Sequence, residues 1–527
     1  MRTPGPWLAA VLAICAGVLA ALAFPPFGVL PGLLGYGLLM RLCDAAAPSR
    51  ALRSAFWRGW LAGFAFFLIA TWWVYEAFQV DAKNQGWMAP IAVALLAGGL
   101  GLFWGAAGLV YRACKPKGPA RGPARVLVFA GAFCLMEWLR GHILTGFPWD
   151  LAGETWKAGS APSQAAALIG AYGLSWVTVS AAAALTLVFE ARRSRAAGAW
   201  ALTGAVAVVA LYAYGGLRLA RPAPAPAAGS VVRIVQPDQP EQASYSDNDF
   251  RAIFARYLTL SMLPAARPPD VIIWPEGAIP AAANDYLAPG TWTRSAIEAA
   301  LRPGQSLLDG AYRVEDGDPQ RYYNSLIALR RLPGGLVETG RYDKFRLVPF
   351  GEYLPLDSLM GRLGVKQLVH VGDGFSSGPR PAAIHPEGLP PLQPLICYES
   401  LFPGLGRDGS AKGVRAAWIV NVSDDAWFGR TYGPLQHLNL ASYRAIEEGL
   451  PIVRATPTGV SAVIDAYGRV EPGAMLGQGA SGVIDRPLPP PLAPPPFVYF
   501  GEGFFYLLMA TSMLLAVTQN LAKDHLS

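Results

Sequence analysis

Charge is what this 527-residue chain has least of: Asp, Glu, Lys and Arg make up 15% of it, against about 25% in an ordinary soluble domain. Its apolar share is 53%. A chain that meets water along its whole length is thereby excluded, and the missing charge has to be missing from particular segments. Histidine is scarce too. The five histidines are scattered, and neither H-E-x-x-H nor C-x-x-C occurs, which argues against a metal site and leaves no cofactor implied. Of the five cysteines, Cys15, Cys43, Cys114 and Cys134 lie in or beside apolar runs, where they read as small apolar residues, while Cys397 stands alone in the polar half. The net charge of +7 could suggest nucleic acid. Yet Lys and Arg gather in short loops between apolar runs, and no basic face with interleaved aromatics occurs, so no nucleic-acid partner is expected.

What is present is a series of apolar runs. Crossing a bilayer as helix takes roughly 20 apolar residues. Candidate spans are 7–23, 28–42, 55–77, 89–110, 126–138, 165–189 and 197–215, with an eighth at 498–517 after a long polar interval. The second and fifth are short. Loop charge orients them. Arg41, Arg50, Arg53 and Arg58 follow the second run, Arg112, Lys115, Lys117, Arg121 and Arg125 the fourth, and Arg192, Arg193 and Arg195 the sixth. Only Lys83 follows the third, and only Arg140 and Lys157 the fifth. Positive loops stay in the cytoplasm, so seven crossings deliver the polar interval to the outside and the eighth returns Lys523 to the inside. Arg2, the first run and Ala21-Leu-Ala23 also resemble a cleavable signal peptide, which would leave the later topology unchanged.

The expected organisation is a membrane domain over 1–220, a Pro/Ala linker over 221–229, a layered α/β domain over 230–486, a Pro-rich linker over 487–497 and the last span over 498–521. Within the polar interval the pattern changes to short β-branched runs with helical stretches between them. Strands are expected at 231–236, 271–274, 306–309, 325–329, 392–397, 416–422, 452–455 and 461–465, and helices at 249–263, 293–301 and 434–448. Pro434 in the first turn and Gly449 past the end mark the last helix.

Three segments share a design in which an apolar run gives way to reactive residues. Val271-Ile-Ile-Trp-Pro-Glu276-Gly places a carboxylate at the end of a strand, where α/β folds keep their sites, though an ordinary loop glutamate would look the same. Lys344 sits among aromatic and apolar residues in Arg341-Tyr-Asp-Lys-Phe-Arg-Leu-Val-Pro-Phe-Gly-Glu352. Such a lysine is either partly buried beside a carboxylate or snorkels to water. Leu392-Gln-Pro-Leu-Ile-Cys397-Tyr398-Glu399 puts a thiol at a strand exit, either as core or as nucleophile. A thiol near pKa about 8.5 needs a base and a cation to act as a nucleophile, for which Glu276 and Lys344 qualify.

That order of Glu, Lys and Cys motifs resembles the nitrilase superfamily and, more narrowly, the bacterial apolipoprotein N-acyltransferase family. The likeness extends to Glu137-Trp-Leu-Arg-Gly141, Thr145-Gly-Phe-Pro-Trp149, Asn421-Val-Ser-Asp-Asp-Ala-Trp-Phe-Gly429 and Gly433-Pro-Leu-Gln-His437. The resemblance implies an extracytoplasmic αββα sandwich on a membrane domain of about eight spans in a bacterial inner membrane, with the catalytic domain in the periplasm. It implies transfer of an acyl chain from a phospholipid, expected to be phosphatidylethanolamine, through a thioester on Cys397 to a diacylglyceryl-apolipoprotein, by a monomer without cofactor. Glu276 would be the base and Lys344 the oxyanion partner. Glu352 and Glu399 would position them, and Tyr398 would neighbour the thioester. Trp427 and Phe428, with Trp274, Phe345 and Phe350, supply apolar company able to exclude water. The chain departs from the family in having Tyr245 where a tryptophan is expected, and in Asp343 and Phe345 beside the lysine. Two rivals remain: a tethered hydrolase with the same triad and water as acceptor, and a transporter with an exported binding domain. The second is disfavoured because the runs carry few charges beyond Glu76 and Glu137.

Overall fold

The computed structural model describes residues 4–114, 125–191, 194–221, 229–354, 374–407 and 414–524. Most of the 221–229 linker lies outside these, as do Lys115, Lys117, Arg121, Arg192 and Arg193 of the charged loops. The chain divides into two compact units, 1–222 with 494–527, and 223–493.

The first unit is helical. Its longer helices are α1 (Pro6–Ala23), α2 (Leu34–Asp44), α3 (Ala51–Ala70), α4 (Ala89–Cys114), α5 (Arg125–His142), α6 (Ala166–Leu185) and α7 (Arg195–Leu219). Four helical stretches among the described residues, Pro6–Ala23, Ala82–Cys114, Pro162–Ala191 and Arg195–Leu219, are long and apolar enough to cross a bilayer. The run expected over 28–42 starts its α-helix only at Leu34, because Gly28 has φ +66° and a 3-10 turn spans Leu30–Leu33. The run at 55–77 is likewise broken after Ala70. Small residues let the helices approach closely. A Cβ at Gly59 of α3 would land on the Trp104 carbonyl of α4, and one at Gly17 of α1 on the Ala62 carbonyl of α3. Close backbone contact of this kind is how apolar helices gain dispersion energy where no hydrophobic drive separates them from lipid. The two membrane motifs are tied together. Glu137 Oε1 accepts the Ala152 N–H at 2.9 Å, and Arg140 Nη1 donates to the carbonyls of Phe147 at 2.6 Å and Trp149 at 2.7 Å. Glu137 is therefore a buried anchor for the segment that follows α5.

The second unit holds two sheets. The first contains β1 (Val231–Gln236), β2 (Val271–Trp274), β3 (Ser306–Glu315), β4 (Arg321–Leu332), β5 (Gly335–Asp343) and β11 (Gly482–Pro487), in the order β11-β1-β2-β3-β4-β5. The second contains β6 (Leu392–Ile396), β7 (Trp418–Val422), β8 (Ile452–Ala455), β9 (Ser461–Ile464) and β10 (Val470–Leu476), in the order β10-β9-β8-β7-β6. The centre of each is parallel, β1 with β2 and β3, and β6 with β7 and β8, and the flanking pairs are antiparallel. The alternation of side chains sorts each strand between two clusters. Val232, Ile234, Ile273, Leu308 and Leu326 meet Ile396, Trp418, Val420 and Val453 between the sheets. Val235, Ile272, Trp274 and Leu307 instead face α8 (Asp247–Ser261) and α9 (Trp292–Ala300), packing on Phe254, Tyr257 and Ile297. On the second sheet α10 (Gly433–Glu448) is joined to β8 by Arg454 and His437, 3.1 Å apart. The result is a helix–sheet–sheet–helix sandwich. The chain then leaves this unit for α11 (Gly503–Asp524) in the first.

Candidate active site

Each reactive segment begins where a strand ends. After β2, Pro275 and Glu276 turn out of the sheet, followed by Gly277 at φ +63°. Gly310 on β3 makes this turn possible, since a Cβ there would collide with the Pro275 carbonyl. Lys344 follows β5. Cys397 follows β6 as the first residue of a 3-10 turn, Cys397–Leu401, with φ +48°. A left-handed non-glycine residue costs roughly 1–2 kcal/mol, so the surroundings hold this one there.

The three side chains converge. Lys344 Nζ lies 3.1 Å from Glu276 Oε1 and 2.9 Å from Glu352 Oε1, and is 1% exposed. Asn324, within β4, donates to the same two oxygens at 2.6 and 3.0 Å. Glu276 Oε2 accepts the Asp424 N–H at 2.7 Å, so both carboxylate oxygens are held. The Cys397 side chain feels the charges of Glu276 and Lys344 and meets the Ser423 hydroxyl. Burial, then Glu276, raise its pKa well above the usual thiol value despite Lys344, so the resting group is a thiol that needs a base. Burial works against the Lys344 charge, but Glu276 and Glu352 outweigh it and raise its pKa, so the ammonium is secure.

Glu399 is a clasp. Its Oε1 accepts Tyr342 Oη at 2.6 Å and the N–H groups of Phe345 and Arg346 at 2.9 and 3.1 Å, while Oε2 accepts the Ile396 N–H at 2.8 Å. One buried carboxylate thus binds the lysine segment to the cysteine strand. Glu352 Oε2 accepts the Val348 N–H at 2.8 Å, closing its own loop onto the lysine. Tyr398 is buried edge-on against Phe402, with ring centroids 5.2 Å apart. Phe428 packs edge-on against His437, whereas Trp427 and Phe350 present their rings to the outside of this unit, 42% and 48% exposed. Trp274 does not belong to this company. Strand alternation places its ring with Tyr257 and Phe254, where its Nε1 donates to Ser261 at 2.9 Å.

Two residues of the site, Asn324 and Glu241, carry no signal in sequence. Asn324 sits mid-strand without a motif. Glu241, half-buried after β1, meets both Asp424 and Tyr245. Burial, Glu241 and Glu276 raise the Asp424 pKa well above the carboxylate range, and burial raises that of Glu241, so the pair favours sharing a proton. Tyr245 is pushed up to about 12 by burial and by Glu241.

A Glu–Lys–Cys cluster at the strand ends of such a sandwich defines the class. Residues 231–492 match the family described as carbon-nitrogen hydrolase, and residues 16–184 match the apolipoprotein N-acyltransferase N-terminal domain. An apolipoprotein N-acyltransferase from Caulobacter vibrioides is 54% identical over 522 residues, 98% of this chain and 96% of that one. Proteins of the same name from Allorhizobium ampelinum and Rhodopseudomonas palustris are 38% and 37% identical, over 98% and 97% of this chain and 96% and 95% of theirs. The chain belongs to the apolipoprotein N-acyltransferase family. A solved Nesterenkonia amidase from the nitrilase superfamily aligns over 54% of this chain and 98% of its own at 16% identity and a TM-score of 0.36, a likeness too slight to argue from.

Proposed function

We propose that this protein moves an acyl chain from a phospholipid to the α-amine of a lipoprotein's N-terminal diacylglyceryl-cysteine, by way of a thioester on Cys397. The observation that carries the reading is the convergence of Glu276, Lys344 and Cys397 at three strand ends, in a chain that belongs to this family over almost its whole length.

In the first half, Glu276 takes the thiol proton and the sulfur attacks the ester carbonyl of the donor. The oxyanion that forms meets the Lys344 ammonium, which its two carboxylates keep charged. The carbon–oxygen bond breaks, and the lysophospholipid alkoxide leaves with the proton from Glu276. In the second half the acceptor amine attacks the thioester, Glu276 takes its proton, and the thiolate departs and is reprotonated. Dividing the transfer lets one site serve two large lipids in turn. Phosphatidylethanolamine is the proposed donor, and the enzyme is proposed to act as a monomer. Eight spans would hold it in the bacterial inner membrane with residues 230–486 in the periplasm.

The test is intact-protein mass after donor alone. An adduct of one acyl chain on Cys397, sensitive to hydroxylamine, is expected to persist, and a peptide with a free diacylglyceryl-cysteine amine is expected to discharge it to an N-acyl product. Cys397→Ala should form no adduct. Free fatty acid released at the same rate with and without the amine would replace this reading with the hydrolase.

A further inference from the structure

Cys397 is strained, and the residues that hold it are not those that do its chemistry. Its carbonyl oxygen accepts the Ser400 hydroxyl at 2.8 Å. His437 Nε2, on α10, lies 3.1 Å from that hydroxyl and 3.3 Å from the carbonyl. His437 Nδ1 lies 3.0 Å from Asp425 Oδ1 and 3.1 Å from Arg454 Nη2. Arg454 in turn donates to both Asp425 oxygens at 2.7 and 2.8 Å. Asp425 also accepts the Ser423 hydroxyl at 3.0 Å, the same hydroxyl that meets the Cys397 side chain. Both ends of the nucleophilic residue are therefore hung from one buried carboxylate.

The Ser400–His437–Asp425 connectivity is that of a hydrolase triad, but Ser400 is 1% exposed and no substrate reaches it. Burial and Arg454 keep His437 neutral, with one N–H to place. Burial disfavours the Asp425 charge, but Arg454 and His437 outweigh it, so Asp425 is a carboxylate that, with Arg454, fixes the ring at Nδ1. The ring is thus gripped at Nδ1 by Asp425 and Arg454, while Nε2 reaches both the Ser400 hydroxyl and the Cys397 carbonyl.

We propose that His437, oriented by Asp425 and Arg454, is a positioning residue for acyl transfer: through Ser400 it fixes the backbone of Cys397 and so the aim of the sulfur. This rests on Cys397 being the nucleophile. Two near-isosteres separate the roles of the ring nitrogens. His437→Gln keeps a polar amide near the Nε2 position, within reach of Ser400 and the Cys397 carbonyl, whereas His437→Asn keeps one only near the Nδ1 position, toward Asp425.

The experiment uses the full chain in detergent. It measures the rate of acyl-enzyme formation with phosphatidylethanolamine, the donor KM, the iodoacetamide alkylation rate of Cys397 by peptide mass, and thermal unfolding. His437→Asn and His437→Leu are expected to slow acylation about a hundredfold, the scale of a misplacement of about 1 Å, with donor KM within about twofold of the parent. His437→Gln is expected to recover at least about tenfold of that loss and to restore alkylation, which His437→Asn does not. The proposal falls if Asn performs as well as Gln, if all three variants match the parent, if the loss lies in KM, or if Gln and Asn both fail to fold. Alkylation reads the sulfur without any acyl donor. An acyl-transferring Cys397→Ala would therefore overturn the proposed function while leaving the alkylation result to be judged separately.

Discussion

Lys344 shows how the site balances its charges. A buried ammonium is costly alone, and it is held here by two carboxylates that are themselves shared with Asn324. Lys344→Met should therefore do two things. It should slow acylation by roughly a hundredfold to a thousandfold, the scale of losing one oxyanion donor. It should also strand Glu276 and Glu352 without their cation, so thermal unfolding should occur at a lower temperature than in the parent. Asp424 supplies a prediction of opposite sign. Its pKa is raised by burial, Glu241 and Glu276, so the folded state prefers it protonated. That preference favours folding at low pH and is lost as pH rises through the folded-state value, where two adjacent carboxylates must both ionise. Asp424→Asn should accordingly raise Tm at alkaline pH and change it little in acid. Its Oδ1 can still accept the Ala426 N–H, a bond of 3.0 Å in the parent. An equal shift at both ends of the pH range would mean that the pair does not titrate as argued.

At the scale of elements, the legible ones were those whose pattern is set locally. The parallel strands β1, β2, β6 and β7 are short and buried along their length, so their apolar runs stand out. Three antiparallel edge strands are harder to read. β5 carries Glu338, Thr339, Gly340 and Arg341 in one run, and β10 and β11 carry Glu471, Asp485 and Arg486, so each looks like loop until a neighbour supplies its backbone partners. β3 and β4 run on past their apolar centres, to Glu315 and from Arg321, because they pair with each other along their whole length. Helix contacts in the first unit make a sharper prediction. Gly59→Leu should clash with the Trp104 backbone of α4 and lower Tm in detergent, with a cost of about 1–3 kcal/mol or more for overpacking. Gly99→Leu, where nothing lies within 4 Å, should leave Tm nearly unchanged. Similar losses in both variants would show that side-chain volume, not backbone approach, governs α3–α4 packing.

For the whole molecule, the distribution of Arg and Lys makes the testable claim. Gly317→Cys, in the exposed turn between β3 and β4, should react with a membrane-impermeant maleimide on intact spheroplasts above the parent's signal. Gly118→Cys, in the basic sequence 115–124, should react only after permeabilisation. The reverse pattern would invert the proposed topology. Sequence alone settled the class of the chain, the alternation of apolar and charged segments, and the three motifs with their Glu, Lys and Cys, because each is carried by neighbouring residues. Sequence could not decide what depends on distant strands meeting. Only folding sends Trp274 into the α8 cluster while Glu276, two residues on, meets Lys344. Only folding brings Asn324 from mid-strand to two carboxylates, turns Glu399 into a clasp across four donors, and sets His437 under the carbonyl of Cys397, forty residues away in sequence. Those contacts follow from strand register and from the closure of two sheets on each other, and a linear pattern of residues does not encode register directly.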